Sequence, residues 1–232
     1  MRSVVLLALL AGALAAVWYA EHTGLIEIPG RWKPWVPFDI TDEPNFLTRY
    51  KLARLSADAA ACNAVLEKSG VRYAAVPDRA SDTGCAYENA VRVAALGARV
   101  GEPFTLTCRS AVSLALWERH VLQPAALRHY GERVARLEHY GSYACRNIYG
   151  REGGRRSRHA NAEALDIAGM VLENGKRVRV AADWSDGGVD GQFLRDAHNG
   201  ACRFFDSVLG PDYNAAHRDH FHFDRGPARI CR

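Results

Sequence analysis

Three of the nine histidines fall close together near the C-terminus, in the run His217-Arg218-Asp219-His220-Phe221-His222-Phe223-Asp224. Side chains alternate on an extended strand, so His220 and His222 share one face while Phe221 and Phe223 share the other. The phenylalanines can then enter a core while the imidazoles face a cleft, which is how a sheet presents metal ligands. A second polar cluster lies upstream, Ser157-Arg158-His159-Ala160-Asn161-Ala162-Glu163-Ala164-Leu165-Asp166. Two histidines and one carboxylate from separate segments can hold Zn²⁺ tetrahedrally and leave the fourth position for water. His120, His129, His139 and His198 read as ordinary surface or core residues. Asp183, Asp186 and Asp190 lack the ligand spacing and terminal Glu of a calcium loop, so a glycine-rich solvated loop is expected there.

The stretch from Ser157 to Asp166 resembles the S-x-H-x-x-G-x-A-x-D motif of the zinc D-alanyl-D-alanine peptidases and their hedgehog-fold relatives. His220-x-His222 resembles the second motif of that group. The layout around them, including Gly141-Ser142-Tyr143-Ala144-Cys145-Arg146 and the terminal Cys231-Arg232, resembles the bacterial extensin-like C-terminal domain family. The resemblance covers approximately Lys51 to Arg232, and no Pro-rich repeat of the plant extensins accompanies it. It implies an α+β domain with a hedgehog- or peptidase-like antiparallel sheet, flanking helices and disulfides.

The same resemblance assigns roles. His159, Asp166 and His222 become the ligands of one Zn²⁺ per chain. Asp219 becomes the general base, His220 and Arg146 stabilise the developing oxyanion, and Ser157 supports the first motif or contacts substrate. Ala162 departs from the motif's glycine, and the aromatic-rich E-x-x-H form of the dipeptidases is absent. The implied activity is zinc-dependent hydrolysis of peptidoglycan cross-links or stems, of the D-alanyl-D-alanine endopeptidase or carboxypeptidase type. The alternative is a non-catalytic zinc-containing module that binds the cell wall. Asp219 separates the two, because a structural site needs no base there. A metal-dependent phosphoesterase is weaker, since it calls for more carboxylates or a second metal, and a basic groove. The expected partners are peptidoglycan peptides and the membrane. No activating protein can be named from the sequence.

These residues need a scaffold. From Lys51 onward the pattern is that of a mixed α+β domain. Ser56 can cap a helix running through Ala60, Val65 and Leu66 to Gly70. Val71 to Val76 and Glu88 to Ala95 read as strands. A helix should begin near Thr107 and carry Leu114, Leu116 and Trp117, with Pro124 kinking or restarting it. Val134 to Arg146 is strand-rich. Asn174-Gly175 marks a hairpin between Leu165–Leu172 and Arg177–Val180. Val189 to Leu209 spaces Phe193, Ala197, Ala201, Phe204 and Val208 as one helical face. Phe221 to Asp224 forms a late strand. Helices and strands do not alternate regularly, which disfavours a doubly wound parallel sheet.

Six cysteines with no C-x-x-C pair read as up to three disulfides in an exported chain, with Cys62–Cys85 the expected local bridge. Export agrees with the N-terminus, which is apolar and uncharged from Ser3 to Ala20 after Arg2. The run is long enough to anchor the chain in a bilayer, with Trp18 and Tyr19 at the outer interface. Its rival is a signal peptide cleaved at Ala13-Leu14-Ala15. The first reading gives a periplasmic domain tethered to the inner membrane, the second a soluble periplasmic one. Residues 21–50, with Pro29, Pro34, Pro37 and Pro44 around Trp32 and Trp35, read as an extended spacer that packs partly on the domain. Of 232 residues, 48% are hydrophobic and 24% charged, which excludes a disordered chain. A net charge of +4 with no Lys/Arg block gives no case for nucleic acid.

Overall fold

The computed structural model describes residues 2–55 and 58–232. Helix α1 (Arg2–His22) buries none of its residues and is long and apolar enough to cross a membrane. A short turn at Gly30–Trp32 follows, and Ile40 then joins the domain core at 1% exposure. Helix α2 (Thr48–Arg54) begins within the proline-rich stretch. Helix α3 (Ala59–Ser69) is capped by Asp58, whose carboxylate accepts from the Ala61 N–H at 2.8 Å, and ends at Gly70 in a left-handed conformation. The expected cap, Ser56, lies outside the described residues.

Strands β1 (Arg72–Ala75), β2 (Ala90–Ala95) and β3 (Arg99–Thr107) form an antiparallel run. Helix α4 (Cys108–Trp117) follows, buried at every residue except Arg109. It passes through one π-turn (Glu118–Leu122) into α5 (Gln123–Tyr130), with Pro124 in the first turn of α5. Proline has no N–H and its ring crowds the carbonyl four residues back, so the helix widens just before it. Strand β4 (Val134–Gly141) leads to β5 (Ala164–Leu172) and β6 (Arg177–Arg179). Helices α6 (Val180–Asp183) and α7 (Val189–Ala201) precede β7 (Ser207–Leu209), β8 (Phe221–Asp224) and β9 (Ile230–Cys231).

The strands lie in the order β1-β2-β3-β4-β5-β8-β7-β9, with β6 pairing the C-terminal half of β5. The sheet is mixed, not antiparallel as expected: β3 with β4 and β7 with β9 are parallel. The helical crossover through α4 and α5 brings the chain back in the same direction, which hairpin loops cannot do. On β8, Phe221 and Phe223 enter the core, and Phe223 meets the edge of Trp117 at 5.2 Å. His222 and Asp224 take the other face.

Two further expectations are corrected. The helix from Val189 ends at Ala201, and Ser207–Leu209 is a strand paired to β8. Phe204 and Val208 suit either periodicity over so short a run. The Cys202–Cys231 bridge and the Asp206 N–H bonded to the Asp224 carbonyl at 2.9 Å decide for the sheet. The disulfides are Cys62–Cys108, Cys85–Cys145 and Cys202–Cys231, so the Cys62–Cys85 bridge is wrong. Helix α3 packs on α4 and presents Cys62 to it, while the β1–β2 loop carries Cys85 to the segment after β4.

Candidate metal centre

Asp166 stands directly opposite His222 in the β5–β8 pairing and opposite Gly141 in the β4–β5 pairing. Alternation along β5 sends Leu165 and Ile167 into the core and leaves Asp166 on the cleft face. His159 arrives from the turn Arg158–Asn161, which Ser157 caps by accepting from the His159 N–H. This turn closes through Ala162, which holds φ of 54°, a region that disfavours any side chain. Ala162 stands where the resembled motif has glycine, a residue that takes this backbone without steric cost.

The three side chains meet. His159 Nε2 lies 3.2 Å from His222 Nδ1 and 3.1 Å from Asp166 Oδ2, and His222 Nδ1 lies 2.9 Å from Asp166 Oδ1. All three residues are buried. The outer ring nitrogens fix the tautomers. His159 Nδ1 faces the Ser142 carbonyl at 2.5 Å, and a carbonyl can only accept, so Nδ1 donates. His222 Nε2 likewise donates to the Asp224 carboxylate at 3.1 Å. Both inner nitrogens therefore turn lone pairs toward a carboxylate, an arrangement that calls for a cation or a proton between them. Two imidazoles and a carboxylate, each imidazole held through its other nitrogen, fit the donor set and outer hydrogen bonding of zinc.

Without a cation the cluster holds a proton instead. Burial opposes charge on His222, but its hydrogen bonds to Asp166 and Asp224 outweigh burial and raise its pKa to about 9. Burial also opposes charge on Asp166, yet the two histidines hold its carboxyl well below the ordinary carboxylate range.

The cluster opens on a cavity of about 360 Å³ whose walls include Arg146, Tyr149, Arg155, Arg158, Tyr213, His217 and His220. Arg146 reaches to 3.9 Å of Asp166 Oδ2 with its side chain 46% exposed. His220 Nε2 lies 3.6 Å from Asp166 Oδ1, and its Nδ1 pairs with Asp219 Oδ1 at 2.9 Å. Asp219 thus reaches the cluster through His220, its carboxylate paired with Nδ1 of that imidazole.

Sequence reasoning gave no role to Ser142, Asp224 or His217. Asp224 could have been read from alternation, since it shares a strand face with His220 and His222. Ser142 contributes a backbone carbonyl, which leaves no trace in residue type. His217 rings lie 5.3 Å from His220 and 5.7 Å from His222, and its Nδ1 is 2.8 Å from Asn214 Oδ1. Burial, then the neighbouring His222 and His220, push its pKa down to about 4. The acidic residues near Asp183 are spoken for: Asp183 caps α6 through the Arg179 N–H, and Asp190 takes Tyr130 and Lys176.

No curated protein and no solved structure matches the chain. Residues 60–232, which contain every side chain of the cluster and its cavity, match the family described as extensin-like protein C-terminus, and the chain belongs to that family.

Proposed function

We propose that the domain is a zinc-dependent peptidase of the cell wall, cleaving peptide bonds in peptidoglycan cross-links or stems. The observation that carries the reading is the convergence of His159 Nε2, His222 Nδ1 and the Asp166 carboxylate on the floor of a cleft. The motif resemblance supplies the bond class, D-alanyl-D-alanine endopeptidase or carboxypeptidase. A zinc ion bound there would polarise the scissile carbonyl and lower the pKa of water to about 7.

The remaining chemistry falls to the chain. His220 takes the proton of the attacking water at Nε2, because its Nδ1–H is committed to Asp219. The water oxygen bonds to the carbonyl carbon, and His220 returns the proton to the leaving amine nitrogen as the C–N bond breaks. Asp219 positions that imidazole and balances its charge. Arg146 faces the developing oxyanion, a contribution of about 3–4 kcal/mol for a well-placed donor. Arg155, on the cavity wall, suits a substrate carboxylate, and murein stems carry several. Export supports the substrate: an apolar N-terminal helix and three disulfides fit a domain outside the cytoplasm. We read α1 as an uncleaved anchor in the inner membrane.

The test pairs zinc analysis with cleavage of purified muropeptides on one preparation. Wild type should hold about one zinc and release peptide or D-alanine. His220→Gln should keep the metal and lose about 10²–10⁴-fold in rate, the usual cost of a lost acid–base group. Asp219→Asn should be less damaging than His220→Gln. The reverse order would make Asp219 the base, the role that the motif resemblance implies. Zinc-loaded wild type that binds murein without cleaving it would make the domain a binding module.

A further inference from the structure

We propose that the face around Trp32, Trp35, Phe46 and Tyr50 docks on the anionic outer surface of the bilayer that α1 enters. The proposal rests on the anchor reading of α1 and not on the zinc chemistry. Its first support is misplaced apolar surface. Trp35 is 72% and Phe46 79% exposed, and Trp32 spends its ring on Phe46 at 5.8 Å rather than on the core. Tryptophan and tyrosine favour the headgroup level of a membrane, where one side of the ring is apolar and the other wet.

Charge is the second support. Beside these rings lies a hollow of about 500 Å³ with apolar walls from Pro34, Trp35, Pro37 and Phe38. Its rim carries Lys51, Arg54 and Lys68 with one lining carboxylate among the described residues, Asp58, which is engaged at the start of α3, while Asp42 acts on Lys51 and Asp39 on Lys68 from outside the hollow. Lys51 is bonded to the Gly30 carbonyl at 3.0 Å, whereas Arg54, whose guanidinium lies 5.9 Å from the Tyr50 ring centre, and Lys68 are exposed. Cations around an apolar hollow match anionic headgroups above acyl chains.

Location is the third. Glu21, in the last turn of α1, pairs with Lys33, two residues before Trp35. The same segment is tied to the domain, since Asn45 donates to the Arg31 carbonyl at 2.9 Å and Lys51 to Gly30. The end of α1 is therefore joined by this ion pair to the segment that carries the aromatic face.

The experiment uses the full chain in nanodiscs of phosphatidylcholine, with or without phosphatidylglycerol, and with plain or brominated acyl chains that quench tryptophan on contact. Wild type minus Trp35→Phe gives the Trp35 signal, and wild type minus Trp18→Phe gives that of the anchor. Trp35 should lose most of its emission in brominated discs containing phosphatidylglycerol, and Arg54→Glu with Lys68→Glu should restore it. Unquenched Trp35 beside quenched Trp18 overturns the docking and leaves the anchor standing. If neither is quenched, the anchor fails and the docking falls with it. Quenching that ignores both lipid charge and the double variant overturns the anionic assignment. Trp35 shielded from aqueous acrylamide but not reached by bromine gives the face to a protein or a second copy, and the proposal is wrong.

Discussion

His222 is held between two carboxylates, Asp166 on the cleft side and Asp224 behind it, and this double contact sets how tightly it can serve as a ligand. His159→Ala or His222→Ala should abolish metal binding, read as zinc per chain. Asp224→Ala removes only the outer partner and should weaken zinc affinity about 10–100-fold at unchanged stoichiometry. Ala162 gives a second residue-scale expectation. A left-handed backbone costs an L-residue roughly 1–2 kcal/mol, and a buried methyl returns about 0.8 kcal/mol per CH₂ equivalent. Ala162→Gly should therefore change stability by no more than about 1 kcal/mol, while Ala162→Val should be strongly destabilising, since branching and burial oppose the same φ. Denaturant midpoints measured on both variants decide it. A valine variant as stable as wild type would mean that the turn does not need this backbone.

Each residue of the candidate metal cluster is delivered by an element whose limits were unequally visible in the sequence. The β8 run was plain because His222 alternates with Phe221 and Phe223, and the β5–β6 hairpin because Asn174-Gly175 separates two apolar runs. Strand β3 left no such signal. Gly101 and Pro103 interrupt it, and its pairing with β2 shifts register where they lie. The tertiary ties were also invisible, because the partners of Cys62 and Cys85 depend on which elements pack together. One tie governs the site. Cys85–Cys145 fixes the residue next to Arg146, and the Tyr143 hydroxyl donates to the Cys85 carbonyl at 3.1 Å. Replacing both cysteines by alanine removes a bridge closing a span of 60 residues, worth about 4 kcal/mol on a chain-entropy estimate. The loss should concentrate in residues 142–148, read as faster amide exchange there than in α4. If exchange rises evenly over the domain, the bridge is a general staple and does not position Arg146.

At the scale of the whole molecule, the core and the candidate metal cluster are separable sources of stability. The core runs from Ile40 to Phe223 and includes Trp117, Phe193, Phe204 and Phe221 as fully buried rings, none of them a ligand. A small zinc finger unfolds without its metal because it has no such core. This domain should stay folded when zinc is removed, with its cluster held by a proton on His222. The pH dependence of that state follows from the raised pKa. A proton bound more tightly in the folded chain than in the unfolded one stabilises fully below pH 6.5, and the effect is lost as pH rises through about 9. Asp166 sets the lower edge, since a depressed carboxyl loses its contribution as pH falls below its ordinary value of 3.8. Zinc must displace the proton, so its apparent affinity should climb across the interval in which the metal-free protein weakens. The gap in Tm between zinc-loaded and metal-free protein should therefore widen from about pH 6 to about pH 9, following the linkage of ligand binding to stability. Paired calorimetry across that range is the measurement. A gap that stays constant would mean that the metal does not compete with the His222 proton, and the ligand set would have to exclude His222.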